Sequence, residues 1–257
     1  MKIFSTLPLF FTLISTTISA QKLEVKYQEI THIDEEALKV SIQSNNTSKL
    51  PENFKDNMLK NLTDPKDYLL TIYDNQSYYK KEEKISNSQS SGASFSISFS
   101  GVGNGLFKDL STNQYLTSVS MFNKEYTIKD QLKDYQWKIS RETKKILGFD
   151  VKKATSTTDR GNIVTAWYAP SIPVKNGPAM YSGLPGLILE VQTTNSKSKL
   201  KENTSIKAIE VKEDPSLKPI QKPKEKNVIT DEEFKNISES QFKQFKQMRS
   251  EGVDRKD

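Results

Sequence analysis

Short segments in which apolar and polar residues alternate recur along this 257-residue chain, and they constrain its fold more than any other feature. Alternation with a period of two residues is typical of a β-strand with one buried face, and short strands at regular spacing favour antiparallel pairing over parallel α/β units. The sequence therefore predicts a mainly β fold, a single curved antiparallel sheet or half-open barrel with a few short helices and a C-terminal helix. The predicted strands cover residues 23–30, 68–73, a return strand from 78, 113–121, 124–128, 137–139, 144–154 (bending at Gly148), 163–168, 187–193 and 205–211, and one short helix covers residues 51–62.

One short run combines turn-forming residues with the start of an apolar segment. It consists of Gly183, Leu184, Pro185, Gly186, Leu187 and Ile188. Proline followed by glycine is typical of a type II turn, so we expect such a turn over residues 184–187 with a positive φ at Gly186. Gly183 is expected to add a bend or a close backbone approach. Residues 187–191 are almost wholly apolar, which predicts a central strand buried on both faces. A phosphate-binding loop is excluded, because no Lys-Ser/Thr pair follows the glycines and a strand comes next.

Around this run the chain resembles the GLPGLI family of exported Bacteroidetes proteins. The resemblance is strongest over residues 137–191 and includes Trp137-Lys138-Ile139, Lys152-Lys153-Ala154, Thr165-Ala166-Trp167-Tyr168, Gly177-Pro178 and residues 183–188. The family has no established activity, so the resemblance carries no catalytic residue to this chain. Members often have a cysteine near the position of Asp150, and its absence here puts any shared redox or metal role in doubt.

The resemblance also implies a class of partner. Family members tend to be associated with envelope proteins such as TonB-dependent receptors, so an outer-membrane or TonB-dependent envelope protein is the expected partner. The strand pattern is in addition similar to the half-open barrel of lipoprotein carriers, which implies a hydrophobic ligand as the other option.

The two ends of the chain predict export and an appended helix. Residues 1–20 have a basic start, an apolar stretch and a small-residue cleavage site ending at Ala20, which is typical of a signal peptide. We therefore expect a periplasmic or envelope protein with no transmembrane segment in its mature form. The predicted organisation is a signal peptide (1–20), an antiparallel β domain (21–212), a Pro/Lys-rich linker (213–229) and a C-terminal helix and tail (230–257). Thr230 and Glu233 form a capping box at the start of that helix, which we expect to dock on the sheet.

Composition argues against several classes of function. The chain has no cysteine and a single histidine, His32, which removes the usual zinc, iron–sulfur and thiol chemistry, and we expect no cofactor and no metal. The formal net charge is +6, but lysines lie throughout the chain among glutamates. A nucleic-acid-binding protein would concentrate basic residues on one face, so no nucleic-acid partner is expected.

Few residues qualify as functional candidates. Trp167 and Tyr168 should face opposite sides of their strand, one in the core and one partly exposed, and this exposed aromatic is the candidate for ligand binding. Glu190 is expected to point outward, and pairing with a buried lysine is the alternative. Asp159 and Arg160 are typical of a turn. The sequence thus favours a non-enzymatic envelope protein that binds a hydrophobic or extended ligand or a membrane protein. The alternative is a hydrolase that uses carboxylates such as Asp159 and Glu190.

Overall fold

The computed structural model describes residues 22–34, 36–37, 60, 63–82, 105–121, 124–159, 161–195 and 202–251, without the side chains of residue 242 and residues 245–251. Four features of the sequence lie outside the described residues: the predicted signal peptide, the helix predicted at 51–62 (apart from Lys60), most of the Ser/Gly-rich stretch at 86–105, and Arg160.

The described chain forms one open, mixed sheet of twelve strands with a single long helix, which confirms the predicted fold class. The elements are β1 (Lys22–His32), β2 (Lys66–Tyr73), β3 (Gln76–Lys81), β4 (Leu106–Asp109), β5 (Gln114–Met121), β6 (Lys124–Gln131), β7 (Lys138–Ile146), β8 (Phe149–Thr157), β9 (Ile163–Ala169), β10 (Leu187–Thr194), β11 (Asn203–Glu213), β12 (Val228–Ile229) and α1 (Asp231–Glu251). The strand order is β12-β6-β5-β4-β3-β2-β1-β11-β10-β9-β8-β7. Neighbouring strands are antiparallel except for the short parallel pair β12–β6.

One predicted strand is in fact two. Residues 144–154 do not bend at Gly148 but form a hairpin there, with Leu147 at φ 49° and Gly148 at φ 83°. Two consecutive positive φ values are typical of the type I′ turn that reverses antiparallel strands. The prediction of a single strand was therefore wrong, because Leu147 is not a residue that usually signals such a turn.

The sheet is curled, as its connectivity requires. β1–β6 and β7–β11 are two meanders joined through the β1–β11 pair, so β6 and β7 lie ten places apart in the strand order. A flat sheet would separate them by about 48 Å, at about 4.8 Å per strand. Yet Gln131 and Lys138 are joined by residues 132–137 alone, whose fully extended reach is about 25 Å. The two edges must therefore approach each other, which produces an open, barrel-like curve.

The inside of this curve holds the core, and the segment between β9 and β10 covers it. We call residues 170–186 the crossing segment. Its Val174 and Ala179 are buried in the main core cluster, while Leu184 packs in a second cluster with Tyr168 and Ile188. Leu187, Ile188, Leu189, Glu190 and Val191 are all buried, so the prediction of a strand covered on both faces is confirmed.

The C-terminal helix begins at the predicted cap. The Thr230 N–H donates to Glu233 Oε2 at 2.7 Å, and the Glu233 N–H donates to Thr230 Oγ1 at 3.1 Å. Its first turn docks on β6, where the Phe234 ring lies 6.5 Å from that of Tyr126. The preceding linker is partly structured, since Val228 and Ile229 form β12. Within the described part of the chain, no helix is long and apolar enough to cross a membrane.

Candidate functional site

The two glycines of the 183–188 run exchange the roles that the sequence predicts. Gly183 has the positive φ, at 93°, whereas Gly186 has none, so the predicted type II turn is wrong. The Gly186 N–H donates instead to the Leu184 carbonyl at 2.8 Å, a three-residue turn centred on Pro185. Gly186 is needed for space, because a Cβ there would lie 2.3 Å from the carbonyl oxygen of Ala169. This contact holds the end of the crossing segment tightly against the end of β9.

The crossing segment is fastened to β10 by its own backbone. The Ile188 N–H donates to the Asn176 carbonyl and the Leu187 N–H donates to the Ile172 carbonyl, each at 2.9 Å. Gly177 lies flat on the Ile188 side chain, since a Cβ added at Gly177 would be 2.7 Å from that of Ile188. The first residues of β10 therefore serve as the base on which the crossing segment folds back.

A fully buried lysine fastens the other side of the crossing segment. Lys108 lies on β4, five places from β10 in the strand order. Its Nζ donates to the carbonyl oxygens of Gly177 and Ala179 at 2.8 Å each and to that of Tyr181 at 3.4 Å. Burial lowers the pKa of Lys108 to about 7, and the carbonyl contacts favour its charged form. Lys108 thus ties the crossing segment to the far side of the curled sheet.

Further polar groups lie on the covered face of β1 and β3. Tyr27 donates its hydroxyl to the Ile188 carbonyl at 2.7 Å, and its ring meets that of Tyr79 at 6.1 Å. Among the described residues, Tyr79 Oη and Glu29 Oε2 are buried without a hydrogen-bond partner. Burial raises the pKa of both groups, and for Glu29 the nearby Lys66 and Lys81 oppose that effect. Together with Lys108, these groups make part of the buried interior polar.

An ion pair lies at the β7–β10 end of the sheet. Lys144 Nζ is 2.7 Å from Glu190 Oε2 and 4.3 Å from the centroid of the Trp167 ring, while Gln192 donates to Glu190 Oε1 at 2.9 Å. Glu190 is only 5% exposed, so the expectation that it points outward was wrong. A carboxylate inside an apolar run is costly to bury without a partner, and Lys144 supplies that partner from a strand 46 positions away.

An open depression of about 320 Å³ lies between the β7–β8 hairpin and the residues that follow β9. Phe149, Val151 and Pro170 give it apolar walls, and the other residues around it are Thr143, Gly148, Asp150, Lys152 and Ser171. It is bounded on one side by the β7–β8 hairpin and on the other by the start of the crossing segment. The sequence did not predict it, since its two walls are distant in the chain.

The remaining candidates do not converge. Tyr168 is 3% exposed and belongs to the core, whereas Trp167 is partly exposed and contacts Lys144, so Trp167 is the aromatic left for a binding role. Asp159 is exposed in the turn after β8. Glu190 lies opposite Trp167 on β9. Trp167 is four residues, or about 13 Å, from Ile163, the end of β9 that is nearest to the turn with Asp159. The two carboxylates thus share no cleft.

His32 ends β1 opposite Asn203. In the described chain, no three His, Asp or Glu side chains are grouped as a metal site.

Comparison with known proteins gives a family of unknown function. Residues 157–190, which include the 183–188 run, match the family described as "Protein of unknown function (Porph_ging)". The match covers β9, the crossing segment and the first four residues of β10, and it supports resemblance to a family without an assigned activity. No curated protein matches the chain significantly.

Among solved structures, PNGF-II is similar with a TM-score of 0.48 and 20% identity, and the match covers 77% of this chain but 29% of PNGF-II. An uncharacterised conserved protein from Thermus thermophilus has a TM-score of 0.33 and 8% identity, with 80% of this chain and 90% of that one covered. A DUF1329 family protein from Desulfovibrio piger has a TM-score of 0.23 and 7% identity, with 78% and 89% covered. These likenesses are too distant to assign a function.

Proposed function

We propose that this chain is an exported, non-enzymatic accessory protein of the bacterial cell envelope, related to the GLPGLI family, which binds an extended segment of a partner protein. The observation that carries the proposal is the open depression of about 320 Å³ beside the edge strand β7. Together, β7 and the depression offer a polypeptide a strand edge and a recess, which are the two elements of recognition by strand addition.

The covered face of the sheet favours a protein partner over an enclosed lipid. A curved sheet that carries an acyl chain leaves its concave face open. Here Val174 and Ala179 of the crossing segment are buried in the core, and Lys108 anchors that segment to β4. A lipid would have to displace the segment and break the contacts of a buried lysine.

The engagement of two buried ionisable groups, Lys108 and Glu190, favours binding over catalysis. Lys108 uses its donors on backbone carbonyls, and Glu190 is held by Lys144 and Gln192. Groups used in this way are positioned for structure and are not presented to a substrate.

Native mass spectrometry of the mature protein, purified gently from its own periplasm, tests the proposal. We expect a mature chain that begins near Gln21 and carries a second polypeptide, and no bound lipid. A stoichiometric lipid would overturn the proposal in favour of a carrier. Release of a hydrolysis product from periplasmic extract by the purified chain, abolished in Glu190→Gln, would overturn it in favour of an enzyme.

A further inference from the structure

We propose that the free edge of β7 binds an acidic, extended polypeptide segment as an added strand, and that the depression beside it holds one apolar side chain of that segment. The inference rests on the proposed function and specifies its surface and the chemistry of its partner. Four observations support it: the edge, its charge, its turn and the recess.

β7 is an exposed edge. It ends the strand order, it pairs with β8 alone among the described strands, and most of its side chains are exposed. A register irregularity between Ile139 and Thr143 interrupts the β7–β8 ladder, and pairing is regular again from Thr143 to Ile146. A bulge shortens the length of edge that another chain can join. The regular stretch that remains begins with Thr143, which also lines the depression.

The charges on β7 determine which kind of partner strand this edge favours. Lys144 pairs with Glu190, Lys145 with Asp150, and Glu142 with Lys153. Lys138 and Arg141 are exposed and have no ion pair among the described residues.

If two copies of this chain paired symmetrically through β7, the same cations of the two copies would come into contact. Like charges across a strand pair are destabilising. An acidic segment would neutralise them. The edge therefore favours an acidic partner over a second copy of this chain.

The turn after β7 carries an exposed apolar residue in an unfavourable backbone conformation. Leu147 is 47% exposed and has a φ of 49°. That conformation strains a bulky side chain, and asparagine or glycine usually occupies it. Leu147 gains little burial in return within the chain. A partner strand that continues past Ile146 would cover Leu147 and supply that burial.

The recess supplies the side-chain contact. Phe149, Val151 and Pro170 form apolar walls, while Lys152 lies at the same opening. Such a site suits an apolar side chain. A segment in which glutamate and valine alternate combines apolar side chains on one face with the acidic charge that the edge favours, because successive side chains point to opposite faces of a strand.

The test uses the mature chain and a fluorescein-labelled ten-residue peptide of alternating glutamate and valine, followed by fluorescence anisotropy. The same peptide with lysine in place of glutamate is the control. We expect the acidic peptide to bind and the basic one not to bind. Amide chemical shifts in a two-dimensional NMR spectrum should move over residues 143–146 on addition of the acidic peptide. Absence of binding by the acidic peptide, or shifts confined to other strands, would overturn the inference.

Three variants separate the edge from general charge attraction. Ser171→Trp fills the depression from an exposed turn position, and Arg141→Glu reverses a charge on the edge. Each should weaken binding by about tenfold, equivalent to about 1.4 kcal/mol, with an unchanged melting temperature. Lys80→Glu makes the same charge change at an exposed position on β3, which is seven places from β7 in the strand order. It should weaken binding less than about twofold, because salt screens exposed charges that are further apart than about 10 Å. Equal weakening by Lys80→Glu and Arg141→Glu would overturn the inference.

The two proposals can fail separately. If a polypeptide co-purifies from the periplasm with the wild-type chain and equally with Ser171→Trp, the accessory function stands and the β7 surface is wrong. If a lipid co-purifies in place of a polypeptide, the accessory function itself is wrong.

Discussion

Lys108→Met tests how the crossing segment is held to the sheet. In the folded chain, burial lowers the pKa of Lys108 to about 7, whereas in the unfolded chain the group titrates near its ordinary value of 10.5. Between these two pH values the unfolded chain binds a proton that the folded chain lacks. The free energy of unfolding therefore rises with pH through this window. The methionine variant has no such proton and lacks this contribution.

The size of the effect follows from the two pKa values. From pH 7 to pH 9, Lys108 should add about 2 kcal/mol to the free energy of unfolding of the wild type relative to Lys108→Met. At pH 9 the variant should also be less stable by about 1–3 kcal/mol, because it leaves the carbonyls of Gly177 and Ala179 without their donor.

Urea unfolding at pH 7 and pH 9, at constant ionic strength, measures both quantities. Tryptophan fluorescence is a suitable signal, because the Trp137 Nε1–H donates to the Ser182 carbonyl in the crossing segment at 2.9 Å. Lys80→Met, at an exposed position, is the control and should show no pH-dependent difference from the wild type. A difference between wild type and Lys108→Met that stays constant from pH 7 to pH 9 would refute the reasoning. It would mean that the carbonyls keep the side chain charged throughout.

Five further substitutions have expected outcomes. Gly186→Ala should cost about 3 kcal/mol in urea unfolding, because the new methyl meets the Ala169 backbone, and an unchanged midpoint would contradict the close approach. Tyr27→Phe should lower the free energy of unfolding by about 1 kcal/mol, because it loses the hydrogen bond to the Ile188 carbonyl. Tyr79→Phe should be neutral or stabilising, because the Tyr79 hydroxyl is buried without a partner. Equal losses in the two variants would show that Tyr79 has a partner. Glu190→Gln should lower the free energy of unfolding by about 1 kcal/mol, and Glu142→Gln, which breaks an exposed pair, by about 0.5 kcal/mol or less; the reverse order in thermal unfolding would count against a structural ion pair at Glu190.

The strands could be predicted from the sequence because alternation is a local signal. Leu23, Val25 and Tyr27 are buried at every second position of β1, as the pattern requires. The same alternation places Glu29 on the buried face, although nothing local shows that its carboxyl lacks a partner. β4 was missed because it has only four residues, too few to show a period.

The site could not be predicted, because distant residues decide it. The Ala169 carbonyl takes the space beside Gly186 and determines that this glycine is needed for close approach and not for a positive φ. The carbonyls that bind Lys108 lie 69 to 73 positions further along the chain. For Glu190 a signal did exist, since a carboxylate buried within an apolar run requires a partner. Nothing in the sequence distinguishes Lys144 from the many other lysines of the chain.

The place of β1 has a consequence for how the protein is made. β1 is the first described strand to be synthesised, yet it lies inside the sheet with β11 as a neighbour, so that Leu23 pairs with Glu213 and His32 with Asn203. Until residues 203–213 have been translated, one side of β1 has no strand to join. Pairing between residues so far apart in sequence is slow, and an unjoined strand is prone to aggregate. The nascent chain is therefore most vulnerable during the interval between the synthesis of β1 and that of β11, and that interval is where a chaperone would act.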